Sequence, residues 1–206
     1  MNIIFDLDGT LIDSKMRLYR LFQHLAPKSQ LSFEDYWALK KNHQSHEQIL
    51  ATIFGSSSND IENFLGQWME LIESPAFLSF DKSFPGIDAT LVRLGQHYTL
   101  HLCTARQFLD TTLTQLGELK LLPYFNQVLV TGQKINKVIL IKQQIHNLSS
   151  NDWMIGDTGK DIQAGQSLGL STCAVLSGFM SDSALRKYHP DLILNSVNEF
   201  HPITKL

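Results

Sequence analysis

The segment Asn2-Ile3-Ile4-Phe5-Asp6-Leu7-Asp8-Gly9-Thr10 places a short apolar run directly before two carboxylates. Asn2 to Phe5 is compatible with a β-strand, whereas the stretch from Asp6 to Asp13 is polar. A buried strand that runs directly into a carboxylate-rich loop is typical of the ligand-binding edge of an α/β sheet. The segment therefore predicts an α/β protein with a site immediately after its first strand.

Two different hydrophobic patterns follow this segment. From Ser14 to about Ser83 the apolar residues recur at helical spacing, with helix starts indicated at Ser32 and Ser45, and no strand is predicted. From Phe84 onward, helical stretches alternate with predicted strands at 98–103, 128–130, 153–155, 172–176 and 192–194. This alternation favours a Rossmann-like, three-layer core with a parallel sheet. We therefore predict an α/β core of residues 1–13 and 84–206, and a helical insertion of residues 14–83.

Composition excludes several classes of protein. The chain has 206 residues, of which 43% are hydrophobic and 18% charged, with a net charge of −3 and no run of Lys or Arg. A nucleic acid or a membrane is therefore not expected as a partner, and we expect a soluble, cytoplasmic monomer or dimer without a signal peptide. Cys103 and Cys173 are too few for a disulfide framework and are predicted to be buried.

A second acidic cluster, Gly156-Asp157-Thr158-Gly159-Lys160-Asp161, follows the strand predicted at 153–155. If the sheet brings both clusters together, Asp6, Asp8, Asp157 and Asp161 share one crevice. Carboxylates so close would raise one another's pKa values, and a divalent cation would relieve this. An all-oxygen ligand set favours Mg²⁺, which commonly also binds phosphate oxygens. The clusters therefore indicate phosphoryl chemistry.

Acidic residues at strand ends also have a structural interpretation. Taken singly, Asp13, Asp157 or Asp161 could serve as a helix N-cap. The complete string Asp-x-Asp-Gly-Thr is harder to explain in this way, because its four fixed residues arise by chance in a chain of this length with odds of about 1 in 10³.

The stretch from Phe5 to Ser14 resembles the first signature motif of the haloacid dehalogenase-like hydrolase superfamily. Three further stretches resemble the other motifs in chain order: 102–106, which contains Thr104, the predicted helix start at Lys137, and 156–162. The insertion resembles the small helical cap of the branch that contains phosphoglycolate phosphatases and β-phosphoglucomutases. The resemblance covers essentially the whole chain.

This resemblance implies catalytic roles for the matching residues. Asp6 would be the nucleophile that attacks phosphorus and forms an aspartyl-phosphate. Asp8 would protonate the leaving oxygen and then deprotonate the hydrolytic water. Thr104 and Lys137 would hold the phosphoryl oxygens, and Arg106 is a further candidate for that role.

The resemblance also implies a Mg²⁺ site. Its ligands would be the carboxylates of Asp6 and Asp157 and the backbone carbonyl of Asp8. Asp161 would bind through a water molecule or would orient Lys137. Thr10 would form a hydrogen bond around the loop.

Several assignments remain open from the sequence. Lys134 competes with Lys137 as the phosphate-binding lysine, although the helix-opening position favours Lys137. Arg106 either contacts the substrate or is a solvated residue at a helix start. In the insertion, a polar break at Lys41, Asn42 and His43 is expected to form a loop that contacts the rest of the substrate. His43 and His46 are either solvated or functional.

The sequence thus predicts a Mg²⁺-dependent phosphatase that hydrolyses a small phosphomonoester. A phosphosugar mutase of the same superfamily would use the same motifs and is the nearest alternative. A phosphoacceptor signalling domain is an alternative from another class. The 70-residue insertion and Asp8 count against it, because such a domain is compact and needs no acid for an alcohol leaving group.

Overall fold

Six parallel strands form one sheet in the computed structural model, which describes residues 1–42 and 44–201. The sheet order is β5-β4-β1-β6-β7-β8, and a separate antiparallel pair is formed by β2 and β3. The strands are β1 (Asn2–Phe5), β2 (Ile12–Asp13), β3 (Lys82–Ser83), β4 (Thr99–Thr104), β5 (Gln127–Val130), β6 (Trp153–Gly156), β7 (Ser171–Val175) and β8 (Leu192–Leu194). The parallel sheet expected from the sequence is confirmed.

The helices divide between two units of the chain. One unit consists of Met1–Asp13 and the chain from Lys82 onward, and the other is Ser14–Asp81; we call them the α/β unit and the helical unit. The helical unit contains α1 (Lys15–Leu25), α2 (Phe33–Lys41), α3 (His46–Phe54), α4 (Ser58–Leu71) and α5 (Pro75–Leu78). The α/β unit contains α6 (Ile87–Gly95), α7 (Leu109–Glu118), α8 (Lys137–Gln144), α9 (Gly159–Ser167) and α10 (Asp182–Leu185). Short 3₁₀ turns lie at Leu122–Tyr124, Arg186–Tyr188 and Val197–Glu199.

The expectation of no strand between Ser14 and Ser83 is wrong at its end. Lys82 and Ser83 form β3, which pairs with Ile12 and Asp13 of β2. A strand of two residues is too short to show an alternating pattern, so β3 has no signal in the sequence.

Both faces of the parallel sheet are buried. Ile3 and Phe5 of β1 pack in the cluster that contains buried residues of α6 and α7, whereas Ile4 packs with Ile141 of α8. Successive residues of a strand point to opposite faces, so an apolar run is what a doubly covered strand requires. This arrangement confirms the three-layer core. Cys103 and Cys173 are buried, and burial raises the pKa of each thiol to about 12.

The helical unit has an aromatic interior. Tyr36, Trp37, Phe64 and Trp68 are buried, and Phe54 is half-buried. The ring of His46 lies among them, with its centroid 4.1 Å from that of Trp68 and its Nε2 2.9 Å from the Tyr36 hydroxyl. Burial, reinforced by the charge of Lys40, lowers the pKa of His46 to about 3. His46 is therefore a half-buried ring packed among aromatic side chains and not a solvated residue.

Local capping explains where the helices of this unit begin. The Ser45 hydroxyl accepts a hydrogen bond from the Gln48 amide, and the Gln48 side chain accepts one from the Ser45 amide, which is the capping box expected from the sequence. The Ser32 hydroxyl accepts from the Asp35 amide at 3.0 Å. Within the described residues, no helix is both long enough and apolar enough to cross a membrane.

Candidate active site

The loop after β1 turns back on itself within six residues. The Leu11 amide donates to the carbonyl of Leu7 at 2.9 Å, and the Gly9 amide donates to the carbonyl of Ile12 at 2.8 Å. Gly9 has a φ of +81°, a backbone conformation that residues with a Cβ rarely adopt. This turn fixes the backbone around Asp6 and Asp8 at the carboxyl end of β1.

Thr10 forms its hydrogen bond around the loop through the backbone and not through the side chain. Among the described residues its buried hydroxyl has no hydrogen-bond partner, and it is the backbone amide of Thr10 that donates, to the carbonyl of Leu7 at 3.2 Å.

Lys137 connects the two acidic clusters. Its Nζ donates to Asp6 Oδ1 and to Asp161 Oδ1, both at 2.6 Å. Lys137 is the first residue of α8, a helix that is capped by the Asn136 side chain. Lys134, the competing candidate, is exposed. The structure therefore places Lys137 at the carboxylates, as its position at the helix start favours.

Asp6, Asp157 and Asp161 form a buried carboxylate cluster in which one oxygen of each lies within 4.8 Å of the others. Burial raises the pKa of Asp6 to about 7, and the charge of Asp161 adds to this effect while Lys137 opposes it. Burial, followed by the charge of Asp6, also raises the pKa of Asp157. Burial would lower the pKa of Lys137, but the two adjacent carboxylates outweigh it and raise that pKa. The single positive charge of the Lys137 ammonium cannot neutralise three carboxylates.

Asp161 contacts both the start of α9 and Lys137. Its Oδ2 accepts hydrogen bonds from the Thr158 amide at 3.1 Å and from the Thr158 hydroxyl at 2.6 Å, which supports the start of α9. Its Oδ1 orients Lys137. The N-cap residue of α9 is Thr158, so Asp157 is not used as a cap.

A loop after β7, residues 177–179, contacts Asp157 and was not found from the sequence. The Phe179 amide donates to Asp157 Oδ2 at 2.8 Å, and the Ser177 hydroxyl donates to the carbonyl of Gly9 at 2.8 Å. A Cβ at Gly178 would overlap the Asp157 carboxylate. The only available signal was that Ser177-Gly178-Phe179 follows a strand at the same edge of the sheet.

The carboxylate cluster fits a divalent cation. Asp157 Oδ1 is buried and has no hydrogen-bond partner among the described residues. Buried polar atoms are nearly always paired, so this oxygen indicates a missing partner. Three carboxylates form an all-oxygen ligand set, which suits Mg²⁺.

Asp8 is paired with Arg106. The guanidinium Nε donates to Asp8 Oδ2 at 2.8 Å and Nη2 donates to Asp8 Oδ1 at 2.9 Å, while Nη1 donates to Gln115 Oε1 at 2.8 Å. Arg106 is 3% exposed. The interpretation of Arg106 as a solvated residue at a helix start is therefore wrong.

Thr104 ends β4 and is buried. Its carbonyl accepts a hydrogen bond from the Thr131 amide, and the carbonyl of Arg106 accepts one from the Gly132 amide, both at 3.0 Å. These bonds hold together the loops that follow β4 and β5, in the same parallel sheet as β1.

The candidate specificity residues lie in the helical unit. Lys41 is the last residue of α2 and not a loop residue as expected, because the helix continues to that position. Asn42 follows as the C-cap, and its amide donates to the carbonyl of Ala38 at 3.2 Å. Both side chains are exposed. His43 lies outside the described residues.

Residues 3–175 match the family model described as haloacid dehalogenase-like hydrolase. The chain belongs to this family. The resemblance seen in the motifs and the prediction of a hydrolase of this superfamily are thereby confirmed.

Individual relatives match this chain over almost its whole length. The chain is 25% identical to the pyrophosphatase PpaX of Oceanobacillus iheyensis, over 96% of this chain and 93% of that protein. A haloacid dehalogenase-like hydrolase from Streptococcus pneumoniae has a structure with a TM-score of 0.78 and 24% identity, covering 95% of this chain and 94% of that one. The Bacillus subtilis hydrolase YfnB, solved with magnesium bound, has a TM-score of 0.65 and 16% identity, covering 96% and 95% of the two chains. These structures share the fold.

Proposed function

We propose that this chain is a Mg²⁺-dependent phosphatase that hydrolyses a small phosphomonoester through a phosphorylated Asp6. One observation carries the proposal: Lys137 joins Asp6 to Asp161 beside Asp157, a buried carboxylate with an unpaired oxygen. Perturbed carboxylates and a lysine at one edge of an α/β sheet are typical of a catalytic site.

Asp6 acts as the nucleophile. An anionic carboxylate is repelled by an anionic phosphate ester, so the reaction needs positive charge in place before the two meet. The Lys137 ammonium, 2.6 Å from Asp6 Oδ1, provides part of this charge in a largely buried site. The attack forms a bond between an Asp6 oxygen and phosphorus and releases the alcohol. Thr104 and Lys137 hold the phosphoryl oxygens.

Mg²⁺ would be held by the carboxylates of Asp6 and Asp157 and by the backbone carbonyl of Asp8. When bound, it supplies positive charge for the phosphoryl oxygens and for the surrounding carboxylates. Asp161 would bind the ion through a water molecule or orient Lys137, whose hydrogen bond its Oδ1 accepts. The magnesium in YfnB supports the choice of metal.

Asp8 moves the protons. Its side chain is 20% exposed, more than the side chains of Asp6 and Asp161, so a leaving oxygen or a water molecule can reach it. It donates a proton to the departing alcohol and later removes one from the water that cleaves the phosphorylated Asp6. A positioned acid or base typically contributes about 10²–10⁴-fold to the rate.

The helical unit is proposed to act as the cap that selects the substrate. Lys41 and Asn42 offer an exposed cation and an exposed amide for the part of the substrate beyond the phosphate. We include His43 in this proposal because it directly follows Asn42 in the sequence.

A panel of phosphate compounds tests the proposed function. Purified protein is assayed with alkyl phosphates, sugar phosphates, p-nitrophenyl phosphate and inorganic pyrophosphate, with Mg²⁺ and with EDTA. Pyrophosphate is included because PpaX is named for it. We expect release of phosphate that requires Mg²⁺ and is lost in Asp6→Asn. Turnover in EDTA would contradict the metal role. An isomerised sugar phosphate without release would indicate a mutase, and a stable phosphoprotein a signalling domain.

A further inference from the structure

Arg106 is enclosed and directed at Asp8. Its side chain is 2% exposed, and the two parallel N–H groups of its fork are both donated to the Asp8 carboxylate. This bidentate geometry fixes the direction of a carboxylate as well as its distance. A carboxylate oxygen can accept more than one hydrogen bond, so the pairing orients Asp8 without exhausting its capacity to bind a further proton donor.

Arg106 is itself held from two sides. Gln115 of α7, which is 4% exposed, accepts the third N–H group at 2.8 Å. The backbone carbonyl of Arg106 accepts a hydrogen bond from the Gly132 amide in the loop after β5. The guanidinium therefore has a fixed position between a helix and two loops of the site.

We propose that Arg106 is a positioning residue that holds the Asp8 carboxylate in the orientation needed for proton transfer, and that Gln115 holds Arg106. This inference rests on the proposed function, because it concerns the same reaction. It replaces the role of phosphate binding that the sequence indicates for Arg106. A phosphate-binding arginine presents its fork to the ligand, whereas here the fork is committed to Asp8 inside the protein.

Kinetic measurements on Arg106→Met and Arg106→Lys test this role. A small misplacement of a catalytic group lowers the rate on the order of 10²-fold. We expect Arg106→Met to lower kcat for an alkyl phosphate by this factor with KM nearly unchanged. The loss should be smaller for p-nitrophenyl phosphate, whose leaving group needs no proton. Arg106→Lys should be intermediate, because lysine keeps the charge but lacks the planar fork.

The double variant Asp8→Asn/Arg106→Met separates positioning from an independent role. If Arg106 acts through Asp8, the double variant should be no slower than Asp8→Asn alone. Losses that multiply would overturn the proposal. A rise in KM for every substrate, together with weaker inhibition by inorganic phosphate, would also overturn it and would return Arg106 to phosphate binding.

Two further variants control for folding. Gln115→Met keeps the side-chain size and removes the acceptor, so it should reproduce the substrate-dependent loss more weakly, and it carries the test if Arg106→Met does not fold. Arg93→Met removes a guanidinium that donates to the carbonyl of Phe200 at 3.0 Å, away from the site, and should affect both substrates equally. Equal losses in Gln115→Met would contradict the proposal. Activity retained by Asp6→Asn would instead overturn the proposed function, which is a separate result.

Discussion

The α/β unit and the helical unit both bury charged or titratable side chains, but they arrange them differently. In the α/β unit, three buried carboxylates lie together, and Lys137 donates a hydrogen bond to two of them. In the helical unit, Arg17 lies 3.3 Å from Asp81, and burial, followed by the charge of Lys40, lowers the pKa of His46. Charged groups that are buried for stability are usually paired or neutral. An excess of buried groups of the same charge is instead typical of a ligand-binding or catalytic site.

The largest effect that this comparison predicts is at Asp6. Asp6→Asn removes the nucleophile and should lower phosphate release by about 10⁴–10⁶-fold, the range seen when a covalent catalytic group is lost. The same change removes one of the crowded carboxylates, so the metal-free protein should be at least as stable as the wild type. Rate assays and thermal unfolding of the same preparation check both points. A large drop in stability would mean that Asp6 is structural.

Arg17 should show the opposite behaviour. Arg17→Met leaves Asp81 as a buried charge without this partner, which should lower the free energy of unfolding by about 3–5 kcal/mol. Urea unfolding measures the loss. Arg20→Met is the matched control, because Arg20 is exposed and only lies over the Phe80 ring, and it should cost less than about 1 kcal/mol. If the two variants are equally stable, the pair contributes nothing to folding.

Gly178 tests whether the loop around Asp157 supports metal binding. In Gly178→Ala, the added Cβ would displace the Asp157 carboxylate, and supporting residues of this kind typically affect metal affinity by about 10–100-fold. Titration of Mg²⁺ by calorimetry, and the increase in Tm that Mg²⁺ produces, are the measurements.

Gly66→Ala in α4 provides the control for this change. Nothing lies near a Cβ at Gly66, and alanine favours the helix. This variant should therefore bind Mg²⁺ as the wild type does. Unchanged Mg²⁺ affinity in Gly178→Ala would show that Asp157 does not depend on the loop.

The smallest predicted effect concerns the pH dependence of the helical unit. The pKa of His46 is about 3 in the folded protein, whereas the unfolded chain has the usual value near 6.5. The unfolded state therefore binds the proton more readily, so the contribution of His46 to stability is fully present above pH 6.5 and falls as the pH decreases toward 3. The loss between pH 7 and pH 5.5 should be about 1 kcal/mol.

Urea unfolding followed by tryptophan fluorescence at several pH values measures this contribution. His46→Phe keeps an aromatic ring and should remove the His46 contribution from the pH dependence, while His97→Gln, at an exposed position, should retain it. An unaltered slope in His46→Phe would assign the pH dependence to other groups.

The sequence revealed those parts of the site that are local in the chain. The Asp-x-Asp-Gly-Thr string and the cluster around Asp157 each follow an apolar strand, and parallel strands bring their ends to one edge of a sheet. The sequence did not reveal partnerships between distant segments. The bonds of Arg106 to Asp8 and of Phe179 to Asp157 depend on strand order and on side-chain orientation, for which a single sequence carries no periodic signal.

His46 illustrates a different limit. A histidine next to a polar break is usually exposed, and only the packing of α1, α2 and α4 encloses its ring, with Phe22, Tyr36 and Trp68 as neighbours. Lys134 and Lys137 are three residues apart, so the choice between them depended on where α8 begins, and Asn136 sets that point by capping the helix.

The pairing of β2 with β3 has a consequence for how such enzymes diversify. The chain leaves the α/β unit after Asp13 and returns at Lys82, and these two residues are directly paired. Because the two ends of the insertion are held side by side by the α/β unit itself, the intervening segment can change in length or be exchanged without moving the strand ends that carry the carboxylates. The helical unit can then evolve as a replaceable module while the α/β unit is inherited unchanged.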